Sequence, residues 1–140
     1  MIIVERIGPD GTAQRISIGT HELVSDMAPP DGGDEGPDPH DLYDAALGAC
    51  KALTMMWYAN RKGIPVGDIR VGVSRDASEE RNGTYRLTLH LAVEGTDEAP
   101  LSDEQHAALI RAAGKCPVHK LMTDVTTEIE TVVAPRPARA

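Results

Sequence analysis

Gly36-Pro37-Asp38-Pro39-His40-Asp41-Leu42-Tyr43-Asp44-Ala45-Ala46-Leu47-Gly48-Ala49-Cys50 is the stretch that decides the fold. Asp38 is a natural N-cap, and Pro39 falls at the first helical position, where a missing N–H costs nothing, so a helix starts here. Leu42, Ala46, Ala49, Leu53, Met56 and Asn60 then keep helical spacing until Gly63 closes the run, which predicts a helix over 39–63. Ala45, Leu47, Cys50, Ala52, Met55, Trp57 and Tyr58 leave this helix few polar sides. A helix apolar nearly all round must be enclosed by other elements. A chain of 140 residues would struggle to cover it completely, which points to a homodimer.

The flanking segments suit that enclosure. Ile2-Ile3-Val4-Glu5-Arg6-Ile7 and Ala13-Gln14-Arg15-Ile16-Ser17-Ile18 flank the punctuated turn Gly8-Pro9-Asp10-Gly11 and predict a hairpin, with a third short strand over 21–26. Residues 27–39 hold Pro29, Pro30, Gly32, Gly33, Gly36, Pro37 and Pro39, a composition that permits only an irregular crossing loop. Beyond the helix, Ile69, Val71 and Val73 alternate with polar neighbours, as do Tyr85, Leu87, Leu89, Leu91 and Val93. These predict two strands joined around Asn82-Gly83, forming the second half of the sheet. Ser102-Asp103-Glu104-Gln105 is a capping box for a second helix that Gly114 ends as a left-handed terminator, and Cys116-Pro117 caps a third. Residues 126–133 are expected to close the sheet as a final strand. The α+β reading is one domain over 1–134 with a frayed tail over 135–140.

At 15.0 kDa the chain fits a single core, and a domain of this size buries roughly 68% of the surface its unfolded chain exposes. Phe is absent and aromatics reach 3%, so Val, Ile, Leu, Met and Ala must fill that core. A net charge of −8 repels phosphate backbones, which excludes nucleic acid and anionic membrane surfaces as partners. The amino terminus lacks the charged and apolar regions of a signal peptide, and the apolar segment 45–59 is broken by Lys51 and falls short of the ~20 residues that span a bilayer. The expected compartment is the cytoplasm.

Two cysteines in a reducing compartment serve less often as a permanent staple than as buried thiols or a working redox pair. On residue chemistry alone Cys116 is the better candidate for a reactive thiol, because it caps a helix and follows Lys115. Cys50 lies in mid-helix among Ala, Leu and Met, where a cysteine commonly acts as a small hydrophobe and desolvation raises its pKa. His40 stands ten residues ahead of Cys50 on roughly the same helical face, but about 15 Å away along the axis. Cys116-Pro117-Val118-His119 has the C-x-x-H spacing of a zinc half-site that Cys50 and His21 could complete, although zinc modules usually show two such pairs and this chain shows one. Asp31-Gly32-Gly33-Asp34-Glu35 reads as a solvated acidic loop.

The segment from Gly36 to Cys50 resembles the one that leads into the first cysteine of OsmC/Ohr proteins, and Ala112-Ala113-Gly114-Lys115-Cys116-Pro117-Val118 resembles that family's second cysteine motif. The resemblance implies an OsmC-like fold, with antiparallel sheets wrapped around a long central helix in an intertwined homodimer. It also implies thiol-dependent reduction of organic hydroperoxides or hydrogen peroxide, with no bound cofactor. Cys50 would attack the peroxide, Cys116 would close a disulfide, and an external dithiol would reopen it. Peroxidases of the family carry a glutamate where this chain has His40, and a loop arginine for which 27–39 offers none. His40, Arg6, Arg15 or a basic group of another subunit are the available substitutes. The competing reading is a non-catalytic dimer that binds a small apolar ligand or senses redox state through its thiols.

Overall fold

A computed structural model describes residues 1–137, and the last three residues of the expected tail over 135–140 lie outside it. The chain forms three strands, β1 (Ile2–Arg6), β2 (Gln14–Ile18) and β3 (His21–Ser25), then the long helix α1 (Pro39–Lys62). It continues through β4 (Ile69–Asp76), a short 3-10 turn at Glu80–Asn82, β5 (Arg86–Val93), α2 (Asp103–Ala113) and α3 (Pro117–Thr123). All strand pairings are antiparallel.

The predicted ends of α1 are observed with their causes. The Asp38 side chain accepts the Asp41 N–H at 2.9 Å while the Asp41 carboxylate accepts the Asp38 N–H, a reciprocal box at the start. Gly63 ends the helix at φ 65°, a left-handed conformation that glycine adopts without steric cost. Asp26 ties the crossing loop down: its carboxylate accepts Thr12 Oγ1 at 2.5 Å, Met27 N at 2.8 Å and Glu35 N at 3.1 Å, and these bonds hold it below the usual carboxylate range.

One side of α1 is buried. Met55 and Ala59 pack with Val93, Leu109 and Ala113 from β5 and α2, and Ile64, Ile69, Val71 and Leu91 close around them. Gly48 lets α1 approach β4 closely, since a Cβ there would stand 2.9 Å from Val73 Cγ2. The other side is bare: Leu53 is 69% and Trp57 59% exposed. The described chain therefore leaves part of its central helix uncovered, in the way its apolar circumference anticipates.

Three expectations are corrected. First, β1–β2–β3 and β4–β5 are two separate sheets rather than halves of one. Every residue of β1 is exposed, so among the described residues no layer covers that strand on either face. Second, residues 126–133 form no strand. Alternation sets which side chains share a face but does not bring a segment to a sheet edge; among the described residues the edges of β1, β3, β4 and β5 stay open, and Ile129, Val132 and Val133 stand more than 80% exposed. Third, Gly114 is right-handed at φ −66°, because the chain turns directly into the Cys116 cap of α3 and the Gly114 N–H still bonds back to α2 carbonyls.

Candidate functional site

The two cysteines meet between α1 and the start of α3. Cys50 is half-buried on α1, and Cys116 is buried as the N-cap of α3, where its Sγ accepts the His119 N–H at 3.4 Å. Both are free thiols, and their side chains are within hydrogen-bonding reach of each other. Burial pushes the Cys116 thiol up. The His119 N–H and the Lys51 charge pull it back, while the neighbouring Cys50 thiol adds to the rise. The cap position and the cationic sequence neighbour that single out Cys116 are thus opposed by burial, since its side chain is sealed from water.

Cys50 instead opens onto a cleft of about 590 Å³. Ala46, Leu53 and Trp57 supply one apolar wall from α1, and Lys115 and Pro117 stand opposite. The Thr54 hydroxyl donates to the Cys50 carbonyl at 2.7 Å, so it serves the helix backbone rather than the thiol.

Directly behind the thiols lies a residue that periodicity does not flag. Lys51 is 5% exposed, and its Nζ reaches the Ala113 carbonyl at 3.1 Å and His119 Nδ1 at 3.0 Å. The only signal in the sequence is a single lysine in the most apolar segment of the chain. His119, noticed for its spacing from Cys116, turns its ring nitrogen to this lysine. Among the described residues no group of three or more His, Cys, Asp or Glu side chains could hold a metal ion.

His40 is elsewhere. It lies in a second recess with Tyr43, Glu80 and Tyr85, its Nε2 2.7 Å from Glu80 Oε1, and it does not line the Cys50 cleft. Glu80 raises its pKa above the ordinary 6.5 by hydrogen bond and charge. Arg6 and Arg15 are also committed away from the thiols, to the Pro9 and Gly11 carbonyls and to Glu22 respectively. Beside the His40 recess, buried Asp44 accepts Arg75 Nε at 2.8 Å and the Tyr85 hydroxyl at 2.7 Å, while Arg75 also reaches Asp41. Burial and Asp44 together push the Tyr85 phenol up to about 12.

A long helix carrying one cysteine, a second cysteine capping a short helix beside it, and two antiparallel sheets define the architectural class. The family model described as OsmC-like protein matches residues 32–131, and the chain belongs to that family. Among solved structures it is similar to an OsmC-like protein from Mycoplasma pneumoniae, at 18% identity and TM-score 0.67, covering 89% of both chains. It is also similar to the organic hydroperoxide resistance protein OhrB of Bacillus subtilis, at 22% identity and TM-score 0.57, covering 89% of this chain and 91% of that one. An organic hydroperoxide resistance protein OsmC from Legionella pneumophila is 23% identical at TM-score 0.58, with 89% and 90% covered. None of the curated proteins matches the sequence. No helix of the described residues is long and apolar enough to cross a membrane.

Proposed function

We propose that this protein reduces organic hydroperoxides or hydrogen peroxide by a two-cysteine cycle, with Cys50 as nucleophile and Cys116 as resolving thiol. The single observation that carries the reading is the placement of the two cysteines as neighbours, one opening onto an apolar cleft and the other buried behind it. The Cys50 thiolate attacks the peroxide oxygen, the O–O bond breaks, and the departing alkoxide takes a proton from water to leave as alcohol. The resulting sulfenic acid condenses with Cys116, releasing water and forming the disulfide. An external dithiol reduces that disulfide by exchange and is itself oxidised, so no bound cofactor is required. The apolar wall of the cleft suits the organic part of a hydroperoxide, and the hydroperoxide resistance proteins among its structural relatives agree with such a substrate. His40 takes no step in this scheme, because its ring is engaged by Glu80 away from the cleft. The cycle is assigned to a single domain over 1–134 in the cytoplasm, paired as a homodimer through the bare apolar surface of α1, β1 and residues 129–133.

Peroxide consumption with a small dithiol tests this directly. Cys50→Ser is expected to abolish turnover, while Cys116→Ser stops after one equivalent with a sulfenic acid that dimedone traps. Unchanged consumption in Cys50→Ser would rule the cycle out. The exposed Leu53 and Trp57 favour one alternative, a dimer that binds an apolar ligand without catalysis. Both thiols intact after peroxide exposure, with an apolar molecule co-purifying, would establish that alternative.

A further inference from the structure

Lys51 is the buried charge that the two-cysteine cycle leaves unused. Lysine is almost never fully buried unless paired, yet this one is 5% exposed and neither of its two hydrogen-bond partners, the Ala113 carbonyl and the His119 ring, is an anion. The ion pairs among the described residues are Arg15–Glu22, His40–Glu80 and Arg75 with Asp41 and Asp44, and none includes it. A buried ammonium gains most from an anion that stands near enough to balance it. The titratable groups that the structure ties to it are His119, by hydrogen bond, and Cys116, by charge, with Cys50 next to it on α1. Of these, only the two thiols can become anions.

His119 links the lysine to one thiol in particular. Its backbone N–H points to Cys116 Sγ at 3.4 Å while its ring Nδ1 seats the Lys51 ammonium at 3.0 Å, so a single residue fixes the sulfur and the cation relative to each other. An ammonium can only donate, so wherever Lys51 is charged the His119 Nδ1 is the acceptor of this bond and the ring carries its proton on Nε2.

We propose that Lys51 is a positioning residue for the resolving step: its ammonium, seated on Ala113 and His119, is the counter-charge that holds Cys116 as a thiolate for attack on the Cys50 sulfenic acid. The inference rests on the two-cysteine reading. Cys116, itself sealed from water, first gives up its proton to the cleft water that half-buried Cys50 faces. Its sulfur then bonds to the Cys50 sulfur, the S–O bond breaks, and the leaving hydroxide takes a proton from solvent to depart as water. Protons and electrons balance, and Lys51 keeps its charge throughout. The direction in which the Lys51 charge acts on Cys116, against burial, agrees with this role.

Because the chain has two cysteines, Cys50→Ser leaves Cys116 as the only thiol, and its thiolate absorbance can be titrated without any peroxide turnover. Adding Lys51→Met is expected to raise the midpoint by at least about one pH unit, and Lys51→Arg, which keeps the charge, to restore most of it. With Cys50 present, Lys51→Met should slow disulfide closure after one equivalent of peroxide about tenfold, while Cys50 oxidation itself changes less than about twofold. A folded Lys51→Met protein that titrates Cys116 as the parent does overturns the proposal. Should that variant not fold, ¹⁵N NMR of the Lys51 Nζ in the otherwise unaltered Cys50→Ser protein decides the matter. A charged ammonium as Cys116 ionises is the expected result, and a neutral amine overturns the proposal. Failure of the two-cysteine cycle itself would appear separately, as peroxide consumption that persists in Cys50→Ser.

Discussion

Helix α1 buries two charges, two turns apart, and treats them in opposite ways. Asp44 is met by a full counter-charge, the Arg75 guanidinium, and by the Tyr85 hydroxyl. Lys51 is met only by a carbonyl and an imidazole. The first arrangement settles its charge within the fold and ties α1 to β4 and to the residue just before β5. The second leaves a positive charge unbalanced at the place where two sulfurs meet. A charge kept without its complement is poor structural design and good preparation for an anion that appears only during a reaction.

The contrast has measurable consequences for stability. Asp44→Ala orphans Arg75 and Tyr85 at once, and because Arg75 retains partial access to water the expected loss is about 3 kcal/mol, at the low end for a broken buried pair. Chemical denaturation at pH 7 measures it, and a loss below about 1 kcal/mol would place Asp44 with ordinary surface carboxylates. Lys51→Met should do the opposite, leaving stability unchanged or raising it by up to about 2 kcal/mol, since an apolar chain of similar length replaces a charge that had no counter-ion. A large destabilisation there would make Lys51 a structural group like Asp44. The smallest effect is expected at the exposed His40–Glu80 pair. Glu80 raises the His40 pKa, so its stabilisation is fully present below the ordinary value of 6.5 and fades as pH rises through the higher folded value. Glu80→Gln should therefore lower Tm by less than about 2 °C at pH 5.5 and leave it unchanged at pH 8.5.

Local chemistry was readable wherever a residue acts on its own backbone. Asp38, Pro39 and Gly63 bound α1, Ser102 and Gln105 open α2, and Cys116 with Pro117 opens α3, each by rules that span a few residues. The alternation of Leu87, Leu89 and Leu91 likewise marked β5. Residues 126–133 show the limit of that method. Their pattern suits a strand, but no pattern names the edge that would receive it, and among the described residues none does. The site divides in the same manner. Cys50 and Cys116 stood out through their motifs, whereas Lys51 read as an interruption and Asp44 as one acid among many.

The amino-acid sequence by itself determined the helix boundaries, the five strand segments that form, the family and the identity of the two sulfurs, because these depend on residue type and short-range spacing. Only the tertiary structure decided which sulfur faces the cleft, that Lys51 and His119 stand behind the other, that His40 is engaged elsewhere, and that the strands divide into two sheets. Those outcomes turn on burial and on contacts between residues far apart in the chain, such as Lys51 and Ala113, and distance in space is a quantity that order along the chain does not carry.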